Sequence, residues 1–169
     1  MLDSIITSKT RLKLLVKFFV SATNSGHLRG LAGEFEESTN AIRKELNQLT
    51  DAGYLNKQQA QNKVVYKANT SHPLFNSLQS LIRSYLGLDQ IVEYLLERTG
   101  KVQEISLVGD YAAGIDSGII EVSLRGQELD EAYVLQAADK MAEILGKKIK
   151  MHINSTNHPT AEIVLYREG

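Results

Sequence analysis

The chain has 169 residues, 43% apolar, 23% charged and none of them cysteine, which suits one ordinary domain or two small ones and excludes disulfide stapling, thiolate catalysis and cysteine-ligated zinc. The net charge of −1 conceals an asymmetry: residues 1–70 carry ten Lys/Arg against six Asp/Glu, and residues 71–169 carry nine against fourteen. A basic first part beside an acidic remainder suggests two units with different partners.

The opening stretch MLDSIITSKTR contains Asp3 and too short an apolar run for a signal peptide. No stretch approaches the roughly 20 apolar residues that cross a bilayer, so a cytoplasmic location is expected. SKTRLKLLVKFFVSA reads as a helix, with Leu12, Leu15, Val16 and Phe19 at helical spacing and Lys13 and Lys17 on the wetter side. SATNSG stops it. LRGLAGEF is a short second helix with Leu28, Leu31, Ala32 and Phe35 inward. Gly30 and Gly33 each weaken it by about 1 kcal/mol relative to alanine and suggest close helix approach.

EESTNAIRKELNQLTDAG is the sharpest local signal. Ser38 is placed to cap a third helix, Ile42, Leu46 and Leu49 form its apolar stripe, and Gly53 is its stop. Thr39, Asn40, Arg43, Lys44 and Asn47 lie around the other faces. YLNKQ then reads as a strand, QAQN as a polar turn, and KVVYKAN as a second strand with Val64, Tyr66 and Ala68 alternating. Three helices and a hairpin are the order of a winged helix-turn-helix, whose expected partner is double-stranded DNA. On that reading Arg43 and Asn47 are candidates for base edges, and Thr39 and Asn40 for contacts at the helix start. Lys44, Lys57 and Lys63, with Lys67 nearby, are candidates for phosphates.

TRLKLLVKFFVS, LRGLAGEFEESTNAIRKELNQLTDAGYL and KVVYKANTSHPLFNSLQSLI resemble bacterial winged-helix transcriptional regulators of the ArsR-like class, over about residues 8–86. The stretch HPLF, His72 to Phe75, resembles the version fused to a small nucleotidyltransferase-like domain. The resemblance implies a DNA-binding transcriptional regulator. Metal-sensing members of the wider class use cysteine clusters; none exists here, so that mode is not implied.

Pro73 suits the first turn of a helix running through LFNSLQSLIRSYLG, with Leu74, Leu78, Leu81, Ile82 and Tyr85 on one side. GLDQIVEYLLERTG supplies another, with Ile91, Leu95 and Leu96 inward and Asp89 as a possible cap. These helices hold more apolar surface than a tether needs, and by analogy with winged-helix regulators they are expected to join two copies into a homodimer. His72 reads as a turn or capping residue rather than a metal ligand.

VQEISLVG and GIIEVSLRG read as strands, ELDEAYVLQAADKMAEILG as a helix, and KKIKMHIN and TAEIVLYRE as further strands. The helix is expected to bury Leu129, Val134, Leu135, Ala138, Met141 and Leu145. ISLVGDYAAGIDSGIIEV resembles the nucleotidyltransferase signature. In that family a strand ends in Gly-Ser, a loop with Ala-Arg-Gly follows, and an Asp-x-Asp pair on the next strand binds the metal. Gly109 and Gly114 match; Asp110 replaces the serine, Ala113 stands where arginine is common, and Gly118 and Ile120 fall on the two carboxylate positions. Carboxylates at i and i+2 of a strand face the same way and can share Mg²⁺; glycine and isoleucine cannot ligate it. The expectation is no enzyme, no cofactor and no metal, with Gly109, Asp110, Gly114 and Asp116 as a possible ligand loop. His152 and His158 flank a turn without a third ligand for zinc, and Asn154 in NSTN formally matches a glycosylation acceptor with no export signal to support it.

The fold class expected is thus α+β. It comprises a winged helix-turn-helix domain over 1–72, linker or dimerisation helices over 73–99, and a degenerate nucleotidyltransferase-like domain over 100–169. The alternative is a module that binds a protein or a small-molecule effector, built on a catalytically inactive nucleotidyltransferase fold.

Overall fold

The computed structural model describes residues 2–157 and 161–169. Among these, seven α-helices and seven strands in two sheets fall into two compact units, Met1–Ile82 and Arg83–Gly169.

Unit 1 opens with a 3₁₀ turn at Leu2–Ser4, followed by α1 (Lys9–Phe19), β1 (Ser25–Gly26), α2 (Leu28–Phe35), α3 (Thr39–Asp51), β2 (Leu55–Ala60) and β3 (Lys63–Ala68). Ser8 caps α1 by accepting from Arg11 N at 3.1 Å. The inner face of α1 is broader than its apolar spacing implies: Leu14 and Phe18 are fully buried beside Leu15, Val16 and Phe19, and Leu12 is only half-buried. Lys17 is also buried, a correction to the expected wet side: Glu34 of α2 reaches its ammonium at 2.9 Å, which permits burial of the stem. The expected close helix approach at the α2 glycines is not found. A Cβ on Gly33 would meet nothing within 4 Å, and one on Gly30 would meet the His27 ring at 2.7 Å.

The turn is shorter than QAQN. Gln59 and Ala60 stay in β2, and only Gln61 and Asn62 turn, with φ of 46° and 64°. Left-handed backbone at both central residues matches the twist of a two-residue hairpin. The short β1 adds a third strand, giving the order β1-β3-β2. Sequence spacing gave no sign of this strand; Gly26 fits there because Leu31 Cδ2 lies 2.8 Å from where its Cβ would be. Pro73 stands two residues before α4 (Phe75–Tyr85) rather than in its first turn. His72 fills the capping role: its Nδ1 accepts from Leu74 N at 3.0 Å, and its ring stacks on Tyr54 at 4.3 Å. Phe75 and Ile82 face inward, whereas Leu74 and Leu81 are exposed, contrary to the single inward stripe expected.

Unit 2 takes in the last turn of α4 and continues with α5 (Leu88–Arg98), β4 (Lys101–Val108), α6 (Gly109–Ala112), β5 (Ile119–Gln127), α7 (Glu131–Leu145), β6 (Lys148–Ile153) and β7 (Glu162–Arg167). Its sheet order is β6-β5-β4-β7; β5 and β6 run parallel across α7, and the other neighbours are antiparallel. Ile105, Leu107, Ile120, Val122 and Leu124 are fully buried, and Val134, Ala137, Ala138 and Met141 of α7 are buried with them. Two inward assignments fail: Leu96 and Leu135 are 39% and 56% exposed. In α7 the buried position is Ala137, because the helix meets the sheet through its small residues. Asp89 is not the cap of α5; Gly87 holds that position at φ 76°, and Asp89 instead accepts from Ser84 Oγ at 3.2 Å. Asn154 exchanges two hydrogen bonds with the Gly126 backbone, at 3.0 and 3.1 Å, so its amide serves the turn. His158 lies outside the described residues, so its pairing with His152 is not among the contacts found.

Candidate nucleic-acid interface

Two signals set the position of α3. Glu36, at φ 55°, turns the chain after α2, with Glu37 N donating to Ala32 O at 3.0 Å; Ser38 then accepts from Ala41 N at 3.2 Å and starts the next helix. A capping serine of this kind is worth about 1 kcal/mol. Ile42, Leu46 and Leu49 dock α3 on the core. Thr39, Asn40, Arg43, Lys44 and Asn47 are all exposed, and Asn40 Oδ1 accepts from Arg43 Nη1 at 3.3 Å.

A groove of about 700 Å³ runs between the start of α2, α3 and the hairpin. Its floor is apolar, built from Leu28, Leu46, Val64 and Tyr66. Its rim holds three cations, Arg29, Arg43 and Lys63, with Asn47, Asn62 and His27 between them. The structure thus gathers Arg43, Asn47 and Lys63 of the sequence candidates. Thr39, Asn40, Lys44 and Lys57 are exposed outside the lining. Lys57 stands opposite Tyr66 in register, whereas Lys63 lies on the other face of the hairpin, beside its turn. His27, Arg29 and Asn62 were missed. Asn62 had a readable signal, since asparagine tolerates left-handed backbone at a hairpin turn. His27 and Arg29 had none, because only the fold brings the start of α2 beside the hairpin.

Two groups of cations in unit 1 differ in their partners. On α1, Arg11 pairs with Glu45 at 2.7 Å, Lys13 with Glu37 at 3.0 Å and Lys17 with Glu34 at 2.9 Å. Thr10 also donates to Glu37. Burial works against the charged form of Glu37, but the Thr10 and Lys13 hydrogen bonds outweigh it and hold this carboxyl below its ordinary range. Arg29, Arg43 and Lys63 have no carboxylate partner among the described residues, and no carboxylate lines the groove.

The loop of unit 2 is arranged differently. Gly109 has φ 73°, which favours glycine, and a Cβ there would sit 2.1 Å from Glu121 Oε2 and displace that carboxylate. Glu121 accepts from His152 at 3.0 Å. Tyr111 is fully buried; its hydroxyl donates to Asp116 and accepts from Gly118 N at 3.2 Å. Burial and, next, the Asp116 carboxylate push the Tyr111 hydroxyl well above its ordinary range, so it stays protonated and keeps donating. Asp110 contributes its backbone oxygen to Ile115 N at 2.9 Å, and Gly114 turns at φ 78°. Of the two positions aligned with the family carboxylates, Ile120 is sealed in the core and Gly118 faces open space at φ 84°. Among the described residues, no three His, Asp or Glu side chains are grouped to hold a metal ion.

No family model and no curated protein matches the chain. Three solved structures are weakly similar to part of the chain. A mutant of the toxin–antitoxin MntA–HpeT matches at TM-score 0.42 and 21% identity, over 47% of this chain and 73% of that one. Reduced HlyU from Vibrio cholerae matches at TM-score 0.41 and 20% identity, over 52% and 83%. The AntR antimony-specific transcriptional repressor matches at TM-score 0.39 and 22% identity, over 57% and 78%. Likenesses of this degree leave function to the geometry of the chain itself. No helix among the described residues is long and apolar enough to cross a membrane.

Proposed function

We propose that residues 1–72 form a winged helix-turn-helix domain that binds double-stranded DNA, and that the chain is a transcriptional regulator acting as a homodimer. The observation that carries the reading is the groove beside α3, where Arg29, Arg43 and Lys63 converge without a carboxylate. Cations left without a carboxylate on a concave surface attract a polyanion, while Arg11, Lys13 and Lys17 of α1 are already paired. In this reading Arg43 and Asn47 reach base edges, and Thr39 and Asn40 contact DNA at the start of α3. Lys44, Lys57 and Lys63, joined by Arg29, serve phosphates.

The homodimer is supported by α4. Leu74 and Leu81 are exposed, and with half-buried Leu78 and Tyr85 they form a stripe spaced four, three and four residues apart. In a two-fold dimer the recognition helices would lie one helical turn apart on DNA, about 34–36 Å. Residues 100–169 are read as a nucleotidyltransferase-like scaffold that performs no transfer. Ile120 in the core and the Tyr111–Asp116 anchor support that reading.

A selection from genomic fragments at low salt tests the main reading: enrichment of a common duplex is expected, and no retention above background overturns it. Arg43→Ala is expected to weaken the selected site about 10- to 100-fold and random duplex far less, corresponding to about 1–3 kcal/mol of base discrimination. Equal losses at both would mean that Arg43 does not read bases. Sedimentation is expected to give twice the monomer mass; a strict monomer removes the homodimer.

A further inference from the structure

The groove of unit 1 has a feature that a phosphodiester backbone does not need. Between its cations lies an apolar floor: exposed Val64 and half-buried Leu28 stand over Leu46. Phosphates gain nothing from such a surface, whereas an apolar body placed on it gains about 25 cal/mol for each Å² removed from water. The volume, about 700 Å³, falls within the range of roughly 300–1,000 Å³ typical of small-molecule sites. Apolar walls with a few convergent polar groups are the general composition of those sites. Here the polar groups are cations, with Asn47 and Asn62 as neutral donors and acceptors and no acidic side chain in the lining.

We infer that this groove binds an amphipathic organic anion, a flat apolar body with one acidic head. The body lies on Leu28 and Val64, and the head is held by Arg43 with Arg29 or Lys63 alongside. A guanidinium grips a carboxylate or phosphate head through two parallel N–H donors, which fixes its orientation as well as its charge. Arg43 and Asn47 are the same side chains assigned to base edges, so the anion and the duplex exclude one another. This consequence rests on the duplex-binding reading; the anion site itself does not. A small anion of this class releases the regulator from DNA by occupying its reading face, without any conformational relay.

The test uses the full chain with methyl-labelled leucine and valine, and naphthoate as the probe. Saturable shifts of the Leu28, Leu46 and Val64 methyl signals are expected with naphthoate. Inorganic phosphate, which lacks the body, should leave them in place, and naphthylmethanol, which lacks the charge, should shift them only at concentrations about tenfold higher or more. Val64→Asn and Arg43→Gln, both at exposed positions, should each weaken naphthoate about tenfold, the size of one charge-assisted hydrogen bond or a lost apolar contact. Naphthoate should displace duplex in an anisotropy titration. Absence of saturable shifts, or shifts unchanged by both substitutions, overturns the anion site. Saturable shifts without any duplex binding keep the site and remove the DNA reading. Duplex binding without naphthoate shifts does the reverse.

Discussion

The groove of unit 1 and the glycine-rich loop of unit 2 treat their polar groups in opposite ways. In the groove, Arg29, Arg43 and Lys63 face solvent without a carboxylate partner among the described residues. In the loop and on the strands beside it, Tyr111, Asp116, Glu121 and His152 are engaged with one another or with backbone. Groups bound to internal partners have their desolvation already compensated and have little to gain from a ligand. Groups left bare at a concave surface retain that capacity. Three cations of α1 teach the same lesson within unit 1: Arg11, Lys13 and Lys17 carry the same charge as the groove residues, but Glu45, Glu37 and Glu34 pair with them.

The sharpest way to break this contrast is to place a carboxylate where the nucleotidyltransferase pattern has one. Ile120→Asp places an ionisable group at a fully buried position, and unit 2 should lose about 4 kcal/mol or more of stability. Circular dichroism melts check this; a folded variant that binds Mg²⁺ would show that the loop still shapes a metal site. Next in size is Arg11→Ala. It strands the largely buried Glu45, whose other contact is Ser8 Oγ at 3.0 Å, and should cost about 2 kcal/mol. Duplex affinity of the folded fraction should not change. A duplex defect equal to that of Arg43→Ala would erase the distinction between paired and unpaired cations.

These residues also show what the sequence could reveal. The order of helices and hairpin, the Ser38 cap and the stripe Ile42, Leu46, Leu49 were legible because capping and periodicity are local. The loop glycines were legible for the same reason. Lys17 was misplaced because its burial depends on Glu34, a partner seventeen residues away on another helix. Leu96 and Leu135 were misplaced because a helix has several apolar residues and only the neighbouring element decides which face is covered. Of the groove, Arg43, Asn47 and Lys63 were found from their exposed positions on one helix and one hairpin. His27 and Arg29 depend on where α2 begins relative to β3, and no spacing rule encodes that.

A smaller effect is expected from Tyr111→Phe. It removes the donor to Asp116 and the acceptor for Gly118 N, and should destabilise unit 2 by about 1 kcal/mol. Hydrogen exchange at Gly118 should accelerate; unchanged exchange would show that the tyrosine does not anchor the loop. The smallest change belongs to Lys63→Ala. It should weaken selected and random duplexes by similar factors and lower the slope of log affinity against log salt by about one unit. An effect confined to the selected site would move Lys63 from the phosphates to the bases.

The position of β4 in the second sheet has a consequence for biosynthesis. β4 is flanked by β5, which begins eleven residues after β4 ends, and by β7, which lies more than fifty residues downstream at Glu162–Arg167. Unit 1 can close from contacts made early, but β4 must wait with one row of backbone donors and acceptors unmatched until the last strand emerges. Sheets that depend on such distant pairing form slowly. An open edge beside Ile105 and Leu107 is also a template for pairing with another nascent chain. The hazard in making this protein therefore sits at β4: a ribosome stalled before residue 162 would carry a finished first unit and an aggregation-prone second one.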